Sequence, residues 1–90
     1  MIYIRQAACA DLDYEIDWSP LWRGDVDSIV TSTYTVPAGI EVHSGSVDGS
    51  KVKFWIKGAT GPVGSRYEIK NNVKTAANRE DCETITVEVV

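Results

Sequence analysis

Apolar and polar side chains alternate along most of this chain of 90 residues. A period of two places successive side chains on opposite faces of a β-strand, so it limits the fold more than any other feature. In the clearest stretch four apolar residues alternate with four acidic ones, Leu12, Tyr14, Ile16 and Trp18 with Asp11, Asp13, Glu15 and Asp17. It predicts a strand with one buried face and one strongly acidic face.

Further alternating or β-branched stretches occur at 28–36, 40–43, 52–57, 67–75 and 84–89. The sequences between them are typical of turns and loops: Pro37–Gly39, Ser44–Ser46, Asp48–Ser50, Gly58–Gly64 and Ala76–Arg79. Asp-Gly favours a tight hairpin, and Asn78 is a candidate for left-handed backbone. Ser19-Pro20-Leu21-Trp22 predicts one short helical turn near residues 19–23, because serine can cap a helix and proline suits its first position.

Six or seven short strands separated by turns, with no long amphipathic helix, are typical of two packed sheets. The sequence therefore predicts an all-β fold: an immunoglobulin-like antiparallel β-sandwich of about seven strands. A chain of this length forms one domain, so residues 1–90 are expected to be a single sandwich. A β-barrel is the main alternative.

Charge and hydropathy exclude several classes of partner. The net charge of −4 disfavours a nucleic acid, and no apolar run approaches the roughly 20 residues that span a bilayer. The first residues lack a charged start followed by an apolar stretch, so no secretory signal peptide is expected. In a cytoplasm Cys9 and Cys82 would stay reduced; a disulfide joining the first strand to the last is the alternative.

The chain offers little for catalysis, and we expect no enzymatic activity, no metal and no cofactor. His43 is the single histidine, interpreted as an exposed residue at a strand end. The acidic row could bind calcium only if its carboxylates converged, whereas alternate residues on a strand are nearly 7 Å apart, at about 3.4 Å per residue. No phosphate loop, nucleophile elbow or zinc motif is present.

A basic row is the main candidate for contacts with other proteins. It consists of Lys51, Lys53, Trp55 and Lys57, whose side chains are predicted to share one face of a strand. Tryptophan is frequent among interface anchors, although Trp55 packing under a neighbouring loop remains open. Six of the 13 acids lie between Asp11 and Asp27, and seven of the nine bases between Lys51 and Arg79. Such separation favours head-to-tail self-association or docking into a ring.

Two stretches resemble a known family. The first runs Leu12-Asp13-Tyr14-Glu15-Ile16-Asp17-Trp18-Ser19, followed by Leu21, Gly24-Asp25, Ile29 and Ser32-Thr33-Tyr34-Thr35-Val36. The second runs Gly64-Ser65-Arg66-Tyr67-Glu68-Ile69-Lys70-Asn71, followed by Thr75, Asn78-Arg79-Glu80-Asp81 and Ile85-Thr86-Val87-Glu88-Val89. Together they resemble the small phage virion proteins grouped as fiber–tail adaptors. One departure is Asn78, where the pattern has glycine; asparagine tolerates a positive φ, so the turn is expected to survive.

The resemblance implies an immunoglobulin-like sandwich that is a structural part of a virion. The expected function is that of a non-enzymatic tail or fiber adaptor of a phage or prophage, made in the bacterial cytoplasm and then built into the particle. It would bind other phage structural proteins and form a homo-oligomer or ring, with no nucleic-acid or membrane partner. The candidate contact residues are Lys51, Lys53, Trp55, Lys57 and Trp22, with the Gly58–Gly64 loop as a second patch.

Four side chains are expected to be structural. Tyr14 and Trp18 point inward by parity, Asp17 is placed to hold the helical turn through backbone N–H groups, and Tyr67 is placed to hydrogen-bond a loop. Two other functions remain open. One is an immunoglobulin-like module that binds carbohydrate or a cell surface through Trp22 and Trp55; the other is a calcium module or metal-dependent enzyme that uses Asp11 to Asp27.

Overall fold

The computed structural model describes residues 2–90, which form seven strands and one 3-10 turn. The elements are β1 (Ile2–Gln6), β2 (Asp11–Asp17), the turn η1 (Ser19–Trp22), β3 (Ile29–Thr35), β4 (Glu41–Asp48), β5 (Lys51–Lys57), β6 (Arg66–Thr75) and β7 (Glu80–Val89). The all-β prediction and the predicted helical turn are confirmed.

The strands form two sheets. One has four strands in the order β1-β7-β6-β3, and the other has three in the order β2-β5-β4. All neighbours are antiparallel except β1 and β7, which run parallel from the Ile2–Ile85 pair to the Gln6–Val89 pair. The prediction of a two-sheet sandwich is therefore confirmed, whereas the expectation of purely antiparallel pairing is wrong for the first strand.

Alternation produces the core as expected. Central inner-face residues of β5, β6 and β7 are buried almost completely, among them Val52, Phe54, Ile56, Ile69, Ile85 and Val87. Burying each such side chain contributes about 1.5–3 kcal/mol. Leu12 is a correction: it was predicted to be inside but is 48% exposed. The reason is that β2 forms an edge of its sheet, where one flank of an inward side chain remains in water.

β4 contains the second correction. The strand was expected to end near His43 and a turn to follow at Ser44–Ser46, but β4 continues to Asp48. Its register shifts between His43 and Ser46, and Ser44 has a φ of 54°. The glycine and serines form a β-bulge inside the strand, because the partner strand β5 continues beside them.

The other turns agree with the sequence. Gly49, with a φ of 61°, closes the hairpin in which Asp48 pairs with Lys51. Asn78, with a φ of 65°, lies in the turn between β6 and β7. Cys9 and Cys82 are both free and exposed, so the alternative of a disulfide between them is wrong.

Candidate interaction surface

The outer side of the three-stranded sheet carries both predicted charge rows, and we call it the charged face. β2 and β5 are antiparallel neighbours, so the acidic residues stand opposite the basic row. The cross-strand pairs are Asp11 with Lys57, Asp13 with Trp55, Glu15 with Lys53, and Asp17 with Lys51. The two rows are far apart in sequence but adjacent in the sheet.

Charges on this face compensate one another within the chain. Lys53 Nζ lies 3.3 Å from Asp13 Oδ2, and Lys51 Nζ lies 3.8 Å from Glu15 Oε1. Both pairs are about half exposed, so each contributes at most about 1 kcal/mol. Lys57 has no carboxylate oxygen within 4.0 Å among residues 2–90. The predicted separation of opposite charges therefore does not hold between β2 and β5.

Trp55 lies at the middle of the charged face and is partly covered. The ring of His43 stacks beside it, with 6.1 Å between centroids and 27° between planes. His43 Nε2 is 2.8 Å from Asp11 Oδ1, and His43 Nδ1 is 2.8 Å from Ser44 Oγ. His43 is thus not a residue at a strand end, as expected from the sequence, but links β4 to β2 across Trp55.

Asp11, His43 and Ser44 are the residue types of a hydrolytic triad, and hydrogen bonds join them on the outer surface of the sheet. A triad works beside a cleft that holds the substrate and the oxyanion. Two open clefts lie elsewhere, one beside η1 and one beside the first residues of β7. The hydrogen-bonded line instead ties the outer surfaces of two strands together.

The η1 turn carries Trp22 and is held by Asp17. Asp17 Oδ1 accepts hydrogen bonds from Ser19 N at 2.9 Å and from Ser50 Oγ at 3.1 Å. The backbone hydrogen bond from Ser19 is the main reason that the pKa of Asp17 lies below its usual value. Trp22 is partly buried and packs against the core, so it presents only part of its ring. Beside the turn lies an open cleft of about 330 Å³ lined by Asp17, Trp18, Pro20, Leu21, Arg23 and Asp81.

A buried polar contact joins the two sheets at Trp18. Trp18 is 7% exposed, and its Nε1–H donates to Asn71 Oδ1 at 3.1 Å. Asn71 is fully buried on β6 and donates to Ser32 Oγ at 2.9 Å and to the Thr33 carbonyl at 3.2 Å. Sequence parity predicted the buried tryptophan but gave no indication of its asparagine partner.

Tyr14 takes part in a second contact of this kind. Its hydroxyl donates to Gln6 Oε1 at 2.7 Å, and Gln6 Nε2 donates to the Ile56 carbonyl at 2.8 Å. Burial raises the pKa of Tyr14. The side chain therefore links the end of β1 to the sheet that contains β2 and β5.

Tyr67 holds the Gly58–Gly64 loop. Its hydroxyl accepts a hydrogen bond from Gly61 N at 2.8 Å. Thr60 N donates to the Gly39 carbonyl at 2.9 Å, and Gly64 N donates to the Val89 carbonyl at 2.8 Å. The loop is anchored at three points, while Val63 at its tip is largely exposed.

Arg79 forms a clamp that sequence reasoning missed. It donates to Asp27 Oδ2 at 2.7 Å and to Asp25 Oδ2 at 2.6 Å, which fixes the loop before β3 against the turn before β7. Burial alone would raise the pKa of Asp27, but hydrogen bonds from Thr75, Arg79 and two backbone N–H groups outweigh it and lower the pKa to about 2. The sequence placed these charges in separate regions, and only the fold brings them together.

A smaller charged cluster lies on the outer side of the four-stranded sheet. Glu88 accepts a hydrogen bond from the Tyr3 hydroxyl at 2.6 Å and pairs with Arg5 and Arg66, each at 3.3 Å. The hydrogen bond from Tyr3 is the main reason that the pKa of Glu88 lies below its usual value. This cluster joins β1, β7 and β6 across their outer surface.

No three histidine, cysteine, aspartate or glutamate side chains gather as metal ligands within residues 2–90. No helix in this part of the chain is long and apolar enough to cross a membrane.

Comparison with known protein families identifies a family for this chain. Residues 6–88 match the model of the family described as podophage GP4 fiber-tail adaptor protein gp77. None of the curated proteins matches the chain. The matched range begins at the last residue of β1 and ends next to the last residue of β7, so it includes the three-stranded sheet and most of the four-stranded one.

Proposed function

The chain belongs to the family of podophage GP4 fiber-tail adaptor proteins, which are structural proteins of the phage, and we propose that it joins other phage structural proteins through protein–protein contacts, without catalysis. The observation that carries this proposal is the extent of the match, since residues 6–88 include all of β2 to β6 and nearly all of β7. The domain itself is then the adaptor unit.

The contact surface that we propose begins at the middle of β5 and continues into the next loop. Lys51 and Lys53 already have carboxylate partners in the chain, whereas Lys57 has none within 4.0 Å among the described residues. Trp55, Lys57 and the anchored Gly58–Gly64 loop follow one another along the chain. A loop that is already fixed loses little conformational freedom on binding, which favours its use as a contact.

Trp22 belongs to a second patch at the opposite end of β2, where η1 borders the open cleft. An adaptor needs two separate contacts, and patches at opposite ends of an elongated domain of 44 × 21 × 17 Å meet that need.

We also propose that the chain is assembled in the bacterial cytoplasm and incorporated into the virion. We propose that its sandwich is immunoglobulin-like, and that neither a nucleic acid nor a membrane is a partner.

Carbohydrate binding has less support. Trp22 packs against the core, and His43 stacks on Trp55. Both contacts reduce the aromatic surface left for a sugar ring. The structure offers no observation that favours this second function over the adaptor.

The proposal is tested on phage particles and on the isolated chain. Mass spectrometry of purified particles should detect the chain, and immobilised chain should retain tail components from dissociated particles. Trp55→Ala and Lys57→Glu should weaken retention, whereas Arg5→Ala, on the other sheet, should not. Particles that lack the chain, or tail components that bind none of these forms, would refute the adaptor function.

A further inference from the structure

The sandwich has four strand edges, and they differ in how well they are protected. β1, β3, β2 and β4 are the outer strands of the two sheets. Proteins protect exposed edges with charge, bulges or short strands. β2 has a row of carboxylates, β4 has the bulge at Ser44, and β1 has five residues. β3, with seven residues, contains neither a charge nor a proline, so we call its free side the open edge.

The strand beside the open edge carries two cations that lack ionic partners. Lys70 pairs in register with Thr35, and Lys74 with Thr31, on the outer side of the sheet. No carboxylate oxygen lies within 4.0 Å of either lysine among residues 2–90, although Glu80 is the cross-strand neighbour of Lys74. A strand added at the open edge would lie about 10 Å from β6, at about 4.8 Å per strand. Only short threonine side chains would stand between its acidic residues and these lysines.

Apolar side chains are exposed on β3, on β4 beside it, and on β2. Val30 on β3 is 63% exposed and Val47 on β4 is 43% exposed. A hydrogen bond of 3.2 Å from Ile29 N to the Gly49 carbonyl holds the start of β3 against the β4–β5 hairpin, near both valines. On the opposite side of the molecule, Leu12 of β2 is 48% exposed. Pairing of β3 in one copy with β2 in another would bury part of this apolar surface, which is favourable.

We propose that the open edge of β3 binds the β2 edge of a second copy of this chain. β2 also has seven residues, with carboxylates at alternate positions on its outer side and apolar residues between them. Asp13 and Glu15 pair with Lys53 and Lys51, but each acidic side chain stays about half exposed. The acidic row would therefore lie next to the threonines and within reach of Lys70 and Lys74, so the edges are complementary in charge.

The other pairings of these two edges are less favourable. Two β2 edges would place carboxylates opposite carboxylates, which is destabilising. Two β3 edges would leave Lys70 and Lys74 without partners. Because a β3–β2 contact joins different surfaces of the two copies, it repeats into a ring or a filament. The inference goes beyond the proposed adaptor function, because it concerns contacts between copies of this chain and not contacts with other phage proteins.

Sedimentation of the isolated chain at low and high salt is the first test. The wild type should associate at low salt, and 0.5 M salt should weaken the association about tenfold, because the attraction is between exposed charges. Lys70→Gln combined with Lys74→Gln should raise the dissociation constant by a similar factor. Arg5→Gln, which removes a cation from β1 at the opposite edge of the four-stranded sheet, should change it less than twofold. A wild type that stays monomeric, or a double variant that associates normally, overturns the proposal.

Cross-linking identifies the strands in contact. In a Cys9→Ser, Cys82→Ser background, Thr33→Cys marks β3 and Glu15→Cys marks β2. A short bismaleimide should join the two forms when they are mixed and neither form alone. Dimers from either form alone, or association without a cross-link in the mixture, overturn the proposal. Both tests use the purified chain, so their failure leaves the adaptor function to be decided by the particle experiments.

Discussion

At the scale of single residues, Asp27 shows how the fold engages a carboxylate. Its Oδ1 accepts hydrogen bonds from Ser28 N at 2.8 Å and from Ala77 N at 3.1 Å, while Arg79 binds Oδ2. These contacts favour the charged form, so the folded state holds this proton less tightly than the unfolded state. The stability of the protein must therefore depend on pH where Asp27 titrates.

The pKa of Asp27 is about 2 in the folded chain, against an ordinary value of 3.8. A lowered pKa stabilises the fold above the unfolded value, and this contribution is lost as the pH falls from about 4 to about 2. We expect the free energy of unfolding, measured with urea, to decrease through this interval. Asp27→Asn should be less stable at pH 7 and show a shallower decrease, while Asp17 and Glu88 maintain part of the slope. An unchanged slope would contradict this prediction.

The hydroxyl of Tyr67 supports a second prediction for a single residue. Tyr67→Phe leaves Gly61 N without its acceptor, and an unsatisfied, partly buried N–H should cost about 1–2 kcal/mol. Tyr3→Phe is the matched control, since its hydroxyl bonds Glu88 at an exposed site and its loss should matter less. Thermal melts compare the two variants. Coincident melts of the wild type and Tyr67→Phe would rule out this role.

At the scale of elements, the turn between β6 and β7 depends on left-handed backbone at Asn78. Asn78→Gly should preserve stability or raise it slightly, because glycine adopts a positive φ without steric cost. Asn78→Val should lower the free energy of unfolding by about 1–2 kcal/mol, since a β-branched residue is strained there. Urea unfolding measures both changes. Equal stability of the two variants would show that the φ of 65° does not limit this turn.

Local sequence identifies an element when the cause of its structure is local. Asp48-Gly49 predicts its hairpin correctly because the backbone of a tight turn is set by the turn residues themselves. Ser44-Gly45 has similar composition, yet it forms a bulge inside β4. What differs is that β5 continues opposite this segment, which is a property of the paired strand and absent from the local sequence. The prediction that Leu12 is buried fails in a similar way. Alternation along one strand cannot distinguish an edge strand from a central one, and β2 is an edge strand.

At the scale of the whole molecule, one hydrophobic core connects both sheets. Truncating a side chain at its centre should therefore lower the stability of the whole domain. Ile85 is completely buried at the middle of β7. Ile85→Ala should lower the free energy of unfolding by about 2–5 kcal/mol. The whole chain is expected to have a free energy of unfolding of roughly 5–13 kcal/mol, at about 0.05–0.15 kcal/mol per residue. Val30→Ala, at an exposed site, should change stability by less than about 0.5 kcal/mol. Chemical unfolding provides the comparison, and equal losses at the two positions would contradict a shared core.

The candidate site could be predicted from the sequence only in part. Alternation correctly placed Lys51, Lys53, Trp55 and Lys57 on one face of a strand, as the register with β2 shows. It could not show that Asp13 and Glu15 lie beside those lysines, or that His43 covers Trp55. Strand order and register are set by the packing of distant segments, so ion pairs between strands appear only in the folded chain. The contacts of Arg79 with Asp25 and Asp27 could not be predicted either, because they join segments that are distant in sequence.

The parallel pairing of β1 with β7 affects how the domain responds to force. A pull that draws Ile2 and Val89 apart acts along both strands in opposite directions, because the two residues lie at opposite ends of the ladder. All of its rungs are then loaded together in shear, whereas an antiparallel terminal pair would unzip one rung at a time. A force applied through these two ends would be resisted by the whole ladder at once.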